Sequence, residues 1–277
     1  MNRAPAAALL ALALSASGCM NDFSPQSDLL GLRVMALVAD PLELAPGQSI
    51  TIRATEYVPA GSVVVDRRWS FCPLTAGAVA AYACAVPQCE VELPPSGSEA
   101  TLNPTQLIQS CLGWSGTTPP AQVPDVIEPV FRYRVTTGDA TREAVLQLPQ
   151  WTRQAPPDPN LPPVIQAVQV GGVTWVPGAV LPPLPVNGSL PIRLLIDPAS
   201  VQTYVDAAGS TTTETMTGYF YTTAGTIPDG ITTGTDTSVL LEGAGAVAGQ
   251  VAQVWVVALD LRGGQAVAGP IPITVGP

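Results

Sequence analysis

The chain has 277 residues, a formal net charge of −10, 11 basic residues that are all arginine, and neither lysine nor histidine. Without an imidazole or an amine, no Ser-His-Asp triad, Cys-His dyad, Ser-Lys pair, Schiff-base lysine or histidine-ligated metal can be built, and only carboxylate chemistry remains. Scattered arginines on an acidic chain exclude a nucleic-acid partner, while 47% apolar content with 30 Pro and 25 Gly in no regular period describes a turn-rich all-β protein with room for two domains.

Arg3 supplies one positive charge ahead of an apolar run over residues 4–14, which is too short to span a bilayer. The small residues Ser15, Ala16, Ser17 and Gly18 follow, so residues 1–18 read as a cleavable secretory signal peptide. Ala16-Ser17-Gly18-Cys19 resembles the bacterial lipobox, with Ala16 where leucine is usual. That resemblance implies a lipoprotein: Cys19 becomes the acylated (palmitate-type) N-terminus and attaches the chain to a membrane of the cell envelope. Met20 in place of an aspartate implies the outer membrane, at its periplasmic face or the cell surface. Residues 19–29 read as a short flexible tether.

The first domain is placed at residues 30–153. Strands are expected at residues 32–41, ending at Pro41, and at 49–55, where Ile50, Ile52 and Ala54 share one face. Ala45-Pro46-Gly47 between them is a turn. The next strand, residues 63–72, should point Trp69 and Phe71 inward; a Trp on a strand beside a Cys is the core plug of immunoglobulin-like sandwiches. The pattern then breaks into a Cys-rich insertion over residues 73–130. It should hold one short helix, capped by Asn103, opened by Pro104 and ended by Gly113. With Cys19 set aside, Cys72, Cys84, Cys89 and Cys111 imply two disulfides in an oxidising compartment. Three pairings are open, and the preferred one is Cys84–Cys89 with Cys72–Cys111. A Cys₄ zinc site is the alternative, but the spacing lacks paired short knuckles. Strands resume at residues 131–135 and 143–148.

The Pro-rich stretch 154–163 reads as a semi-rigid linker and the clearest boundary in the chain. The second domain, residues 164–277, should have strands at 164–170, a Gly171-Gly172 turn, and strands at 173–175, 190–196, 218–225, 253–260 and 265–275.

Few polar residues stand out as sites. Asp260 is a weak calcium candidate, which Asp229, Asp236 and Glu242 could join; the competing reading has it capping its own turn. No other metal and no cofactor is expected. Trp114, Trp151 and Trp175 lie at element edges, where exposure would make a sugar-stacking platform.

Two stretches carry a family resemblance. Arg33-Val34-Met35-Ala36 followed by Asp40-Pro41-Leu42-Glu43-Leu44-Ala45-Pro46-Gly47 resembles the opening of bacterial immunoglobulin-like modules. Val254-Trp255-Val256-Val257-Ala258-Leu259-Asp260-Leu261-Arg262-Gly263-Gly264 resembles the end of PKD-type modules. The arrangement is similar to uncharacterised myxobacterial-type lipoproteins, and implies fold and address but no activity. The expectation is therefore two immunoglobulin-like β-sandwiches in tandem, the first with a disulfide-pinned insertion. It would be a membrane-anchored, non-enzymatic binding or structural module for an envelope protein or polysaccharide. The alternative is a carbohydrate-binding or carbohydrate-hydrolysing surface protein using exposed Trp and paired carboxylates.

Overall fold

A computed structural model describes residues 26–94, 96–116, 118–205 and 209–277. The signal peptide, the lipobox and Cys19 lie outside the described residues. No helix among the described residues is long and apolar enough to cross a membrane.

The N-terminal half contains β1 (Arg33–Asp40), β2 (Ile50–Tyr57), β3 (Val64–Cys72), β4 (Val91–Glu92), β5 (Glu99–Leu102), α1 (Pro104–Leu112), β6 (Val126–Ile127), β7 (Val130–Thr137), β8 (Thr141–Gln147) and β9 (Gln150–Trp151). They form a β1-β2-β5 sheet, a β4-β3-β7-β8 sheet and a small β6-β9 pair. The alternation read in β2 and β3 sends Ile50, Ile52, Trp69 and Phe71 into one core, where they meet Phe131, Tyr133 and Val135 of β7. Trp69 packs on Tyr133 at 4.6 Å and Phe71 on Phe131 at 5.2 Å between ring centroids. The plug of this core is thus aromatic on aromatic rather than Trp on an inter-sheet disulfide. The helix has the caps expected of it. Asn103 Oδ1 accepts from Thr105 N–H, and Gly113 closes the end at φ 71°.

The C-terminal half contains β10 (Ile165–Val170), β11 (Val173–Thr174), β12 (Leu184–Pro185), β13 (Ser189–Ile196), β14 (Thr203–Val205), β15 (Thr211–Thr213), β16 (Thr217–Thr222), β17 (Ile231–Thr233), β18 (Asp236–Glu242), β19 (Val251–Leu259) and β20 (Gln265–Gly276). A β11-β10-β13-β18 sheet faces a β12-β20-β19-β16-β17 sheet, with β14-β15 as a separate hairpin. Their inward residues, such as Ile192, Leu194, Phe220, Val254, Val256 and Ile273, make a second core.

A third apolar cluster joins the halves. Met35 and Ala36 of β1 pack with Tyr221, Trp255 and Val257 of the second sandwich, and Tyr57 meets Trp255 edge-on at 5.7 Å. This explains the unbroken apolar run of β19. Its even residues, Val254, Val256 and Ala258, face the sandwich core, and its odd ones, Trp255 and Val257, face β1. The linker stretch is pinned as well: Asn160 is buried and bonds Asp260, and Leu161 N–H donates to Gln202 Oε1.

The tether expected over residues 19–29 is not free where it is described. Ser27 and Leu29 are buried. Residues 27–29 run beside Thr222 of β16 as an isolated parallel bridge, with Thr222 N–H to Ser27 O at 2.9 Å and Leu29 N–H to Thr222 O at 2.8 Å. Ser27 Oγ adds a bond to Ile227 O. Leu29 supplies the apolar burial that a polar composition average over residues 19–29 concealed.

Candidate binding surface

The disulfides differ from the preferred pairing. Cys72 bonds Cys84 across a separation of 12 residues, and Cys89 bonds Cys111 across 22. Cys72 ends β3, and the chain doubles back on itself at once: Ala76 N–H donates to Ala83 O and Ala85 N–H to Leu74 O. This small hairpin brings Cys84 to Cys72. Cys89 then follows the turn Pro87–Cys89 onto the face of α1 that carries Cys111. Sequence spacing alone could not foresee the hairpin that decides the pairing. Each bridge restricts the unfolded chain by about 3 kcal/mol at these loop lengths.

The hairpin tip juts into solvent. Ala78–Ala80 form a 3-10 turn, Ala81 and Tyr82 follow in the left-handed region at φ 50° and 57°, and Val79 is completely exposed. Non-glycine residues in that region cost about 1 kcal/mol or more each and persist only where the surroundings hold them. One such hold is the Tyr82 carbonyl, which accepts a hydrogen bond from Arg132 at 3.0 Å.

Below the tip lies the outer face of the β4-β3-β7-β8 sheet, and together they enclose a concavity of about 720 Å³. Because Trp69, Phe71, Phe131 and Tyr133 point in, their neighbours Arg68, Ser70, Arg132 and Arg134 point out. The register sets Arg68 opposite Arg134, and Arg134 opposite Glu143. Like charges face to face would repel, but each arginine has a carboxylate. Arg68 pairs with Asp66 at 2.6 Å and Glu92 at 3.4 Å, Arg132 with Glu90 at 3.7 Å and with Glu143, and Arg134 with Glu143 at 2.9 Å. Burial pushes the Glu143 carboxyl upward, but the hydrogen bonds from Arg132 and Arg134 outweigh it and hold Glu143 below the usual carboxylate range. On the inner side, Tyr133 donates to Glu56 Oε2 at 2.6 Å and Arg67 also binds Glu56. Burial first, and then that bond to Glu56, push the Tyr133 hydroxyl well above its ordinary range.

Asp260 serves its own turn. Its Oδ1 accepts from Arg262 N–H at 2.7 Å and Gly264 N–H at 2.8 Å, and its Oδ2 accepts from Asn160 at 3.0 Å. A Cβ on Gly264 would stand 2.0 Å from Oδ2, so the carboxylate can reach only over a glycine. Asp236 pairs with Arg193, and Asp229 and Glu242 line a different part of the second sandwich. Among the described residues no three acidic or cysteine side chains converge as a metal cluster. The turn's Arg262 bridges the halves instead. It binds Glu214 at 2.7 Å and Glu43 at 3.4 Å and stacks over Tyr204 at 4.2 Å, and Glu43 also accepts from Trp151 Nε1.

The tryptophan platform is not formed among the described residues. Trp69 and Trp255 are buried, and Trp114, Trp151 and Trp175 are half-buried at core or junction edges.

Two facing sheets around each of two separate cores, with short antiparallel strands and a single short helix among the described residues, decide the architecture. The chain is a tandem of immunoglobulin-like β-sandwiches. No family model and no curated protein matches these sandwiches. Among solved structures, fibronectin(III)-like modules of Clostridium thermocellum CbhA share 14% identity, covering 88% of this chain and 94% of theirs, with a TM-score of 0.27. The chicken CNTN1 FN1-FN3 domains share 10% over 92% of this chain and 69% of theirs, with a TM-score of 0.23. The Yersinia pseudotuberculosis adhesin InvE shares 11% over 87% of this chain and 58% of its own, with a TM-score of 0.21. At these scores the tandem's architecture rests on its own strand order and cores.

Proposed function

We propose that this chain is a membrane-anchored cell-envelope lipoprotein whose sandwiches, residues 30–153 and 164–277, form a non-enzymatic binding module. The disulfide-pinned tip would be its recognition element. The observation that carries this reading is the tip itself. A bare apolar residue, Val79, is presented on a left-handed turn, tied down by two disulfides and by Arg132, over a concave charged face. Order of this kind lowers the entropic cost of binding and suits a surface that meets a partner as a rigid body. The arginines and carboxylates below are spent on one another, which leaves no free acid–base pair in the concavity. The anchoring half of the reading rests on Cys19 and the leader before it.

A photo-crosslinking side chain placed at Val79 in intact cells tests recognition. Capture of one envelope protein or polysaccharide, absent when the crosslinker sits at exposed Val205, supports it; equal labelling at both positions overturns it. Mass spectrometry of the native protein tests anchoring: an acylated Cys19 at the new N-terminus supports it, and a retained leader overturns it. Turnover of a peptide or ester by the purified chain would overturn the non-enzymatic reading.

A further inference from the structure

Among the described residues, the middle of β18 in the second sandwich has an edge without a backbone partner. β18 is the outer strand of its sheet and has β13 on one flank. Glu242, at its end, turns its backbone away from β13. Its N–H donates to Thr226 O at 2.8 Å, and its carbonyl accepts from Thr226 N–H at 3.0 Å. Antiparallel ladders alternate, so Leu240 and Ser238 turn the same way. Pro191 stands opposite Leu240 and sends its carbonyl to Gly171 instead, in agreement with that phase. The neighbouring β17 belongs to the other sheet, and among the described residues no backbone hydrogen bond joins it to β18.

Between β17 and β18 lies a groove of about 320 Å³, flanked by Ile231 and Leu240, each 52% exposed. Open edges are ordinarily blunted by charge, proline or a covering segment. β8, the outer strand of its own sheet, carries Arg142 and Glu143. The middle of β18, Ser238-Val239-Leu240-Leu241, carries no such guard.

Charge selects the occupant. A second copy pairing antiparallel about Val239 would set one copy's Glu242 against the other's Asp236, which is already paired with Arg193, so Glu242 would find no cation there. In contrast, the carboxylates of Asp229 and Glu242 line the groove and have no ion-pair or hydrogen-bond partner among the described residues. We propose that β18 is a strand-addition site for an extended segment of a partner protein. That segment would alternate aliphatic with small polar residues and end in arginine or lysine beside Asp229 and Glu242. Main-chain bonds to Ser238 and Leu240 would supply affinity, and Ile231 and Leu240 the apolar contact. The site is separate from the tip at Val79, so either can fail without the other.

The probe is a fluorescein-labelled heptapeptide alternating valine and threonine between terminal arginines, titrated against the intact chain. Saturable binding with slowed hydrogen exchange at the Ser238 and Leu240 amides is expected. The same peptide methylated on alternate backbone nitrogens, or ended with glutamates, should bind at least tenfold more weakly. Leu240→Pro removes an outward N–H without touching the β13 ladder, and it should weaken binding tenfold with unchanged circular dichroism. Should that variant misfold, Leu240→Lys, which repels the arginine-ended peptide, gives the same reading. No binding, equal binding of the methylated peptide, or protection of these amides by concentration alone would overturn the proposal; the last result would assign the edge to a second copy.

Discussion

Replacing Arg262 by methionine keeps the aliphatic bulk and removes the charge that the junction is built around. Its guanidinium faces Glu214, whose side chain has no solvent exposure, and Glu43, whose side chain is 11% exposed. Removing one partner of a buried pair leaves the other charge uncompensated and costs about 3–5 kcal/mol. The contact with Tyr204 adds about 1 kcal/mol, partly offset by the methionine's own packing. Urea unfolding followed by tryptophan fluorescence reads the loss, because Trp151 and Trp255 sit at the junction. With a slope of about 3 kcal/mol/M, the midpoint should fall by about 1–2 M. Combining Arg262→Met with Glu214→Gln should recover much of it, because an amide tolerates desolvation better than a carboxylate. A loss below about 1 kcal/mol, or strict additivity of the two substitutions, would refute the view that Arg262 locks the sandwiches together.

Three further outcomes are expected. Replacing Cys89 and Cys111 together with alanine should lower stability by about 3 kcal/mol in a thermal melt and open residues 73–90 to proteolysis, because α1 no longer holds the insertion. Glu143 titrates lower in the folded chain than in the unfolded one, so its contribution is fully present above the unfolded value of about 4.3 and fades as pH falls through the folded value. The stability difference between the wild type and Glu143→Gln should therefore be flat above about pH 5 and shrink toward pH 3. Asp260→Ala strands two turn N–H groups and Asn160, and should cost about 2–4 kcal/mol by urea denaturation; a calcium chelator should leave the wild-type melting temperature unchanged.

The strands most legible in the sequence are those with a buried and an exposed face, or two buried faces. β2, β3, β7, β13 and β19 stand close to their expected places because periodicity is a local property. The same holds for α1, whose cap, proline and glycine are adjacent in sequence. β18 escaped notice because its apolar centre is three residues long and sits in a Thr- and Gly-rich stretch. The Arg68, Arg132, Arg134 and Glu143 face was implicit in the alternation around Trp69 and Tyr133, but which carboxylate meets which arginine depends on strand register. The disulfide pairing and the Arg262 junction depend on how the chain returns across tens to hundreds of residues, and no local pattern encodes that.

The docking of residues 27–29 on β16 decides how the protein carries load. A pull applied upstream of Gln26 first meets the bond that Arg33 of β1 makes to the Gln26 carbonyl. It then meets the isolated parallel bridge at Thr222, where two backbone bonds hold residues 27–29 to β16. The strain then passes through Ser27 and Leu29 into the second sandwich and across the Met35–Trp255 contact into the first. A molecule tugged from its leading end is therefore gripped where its two sandwiches meet, and the load divides between them there.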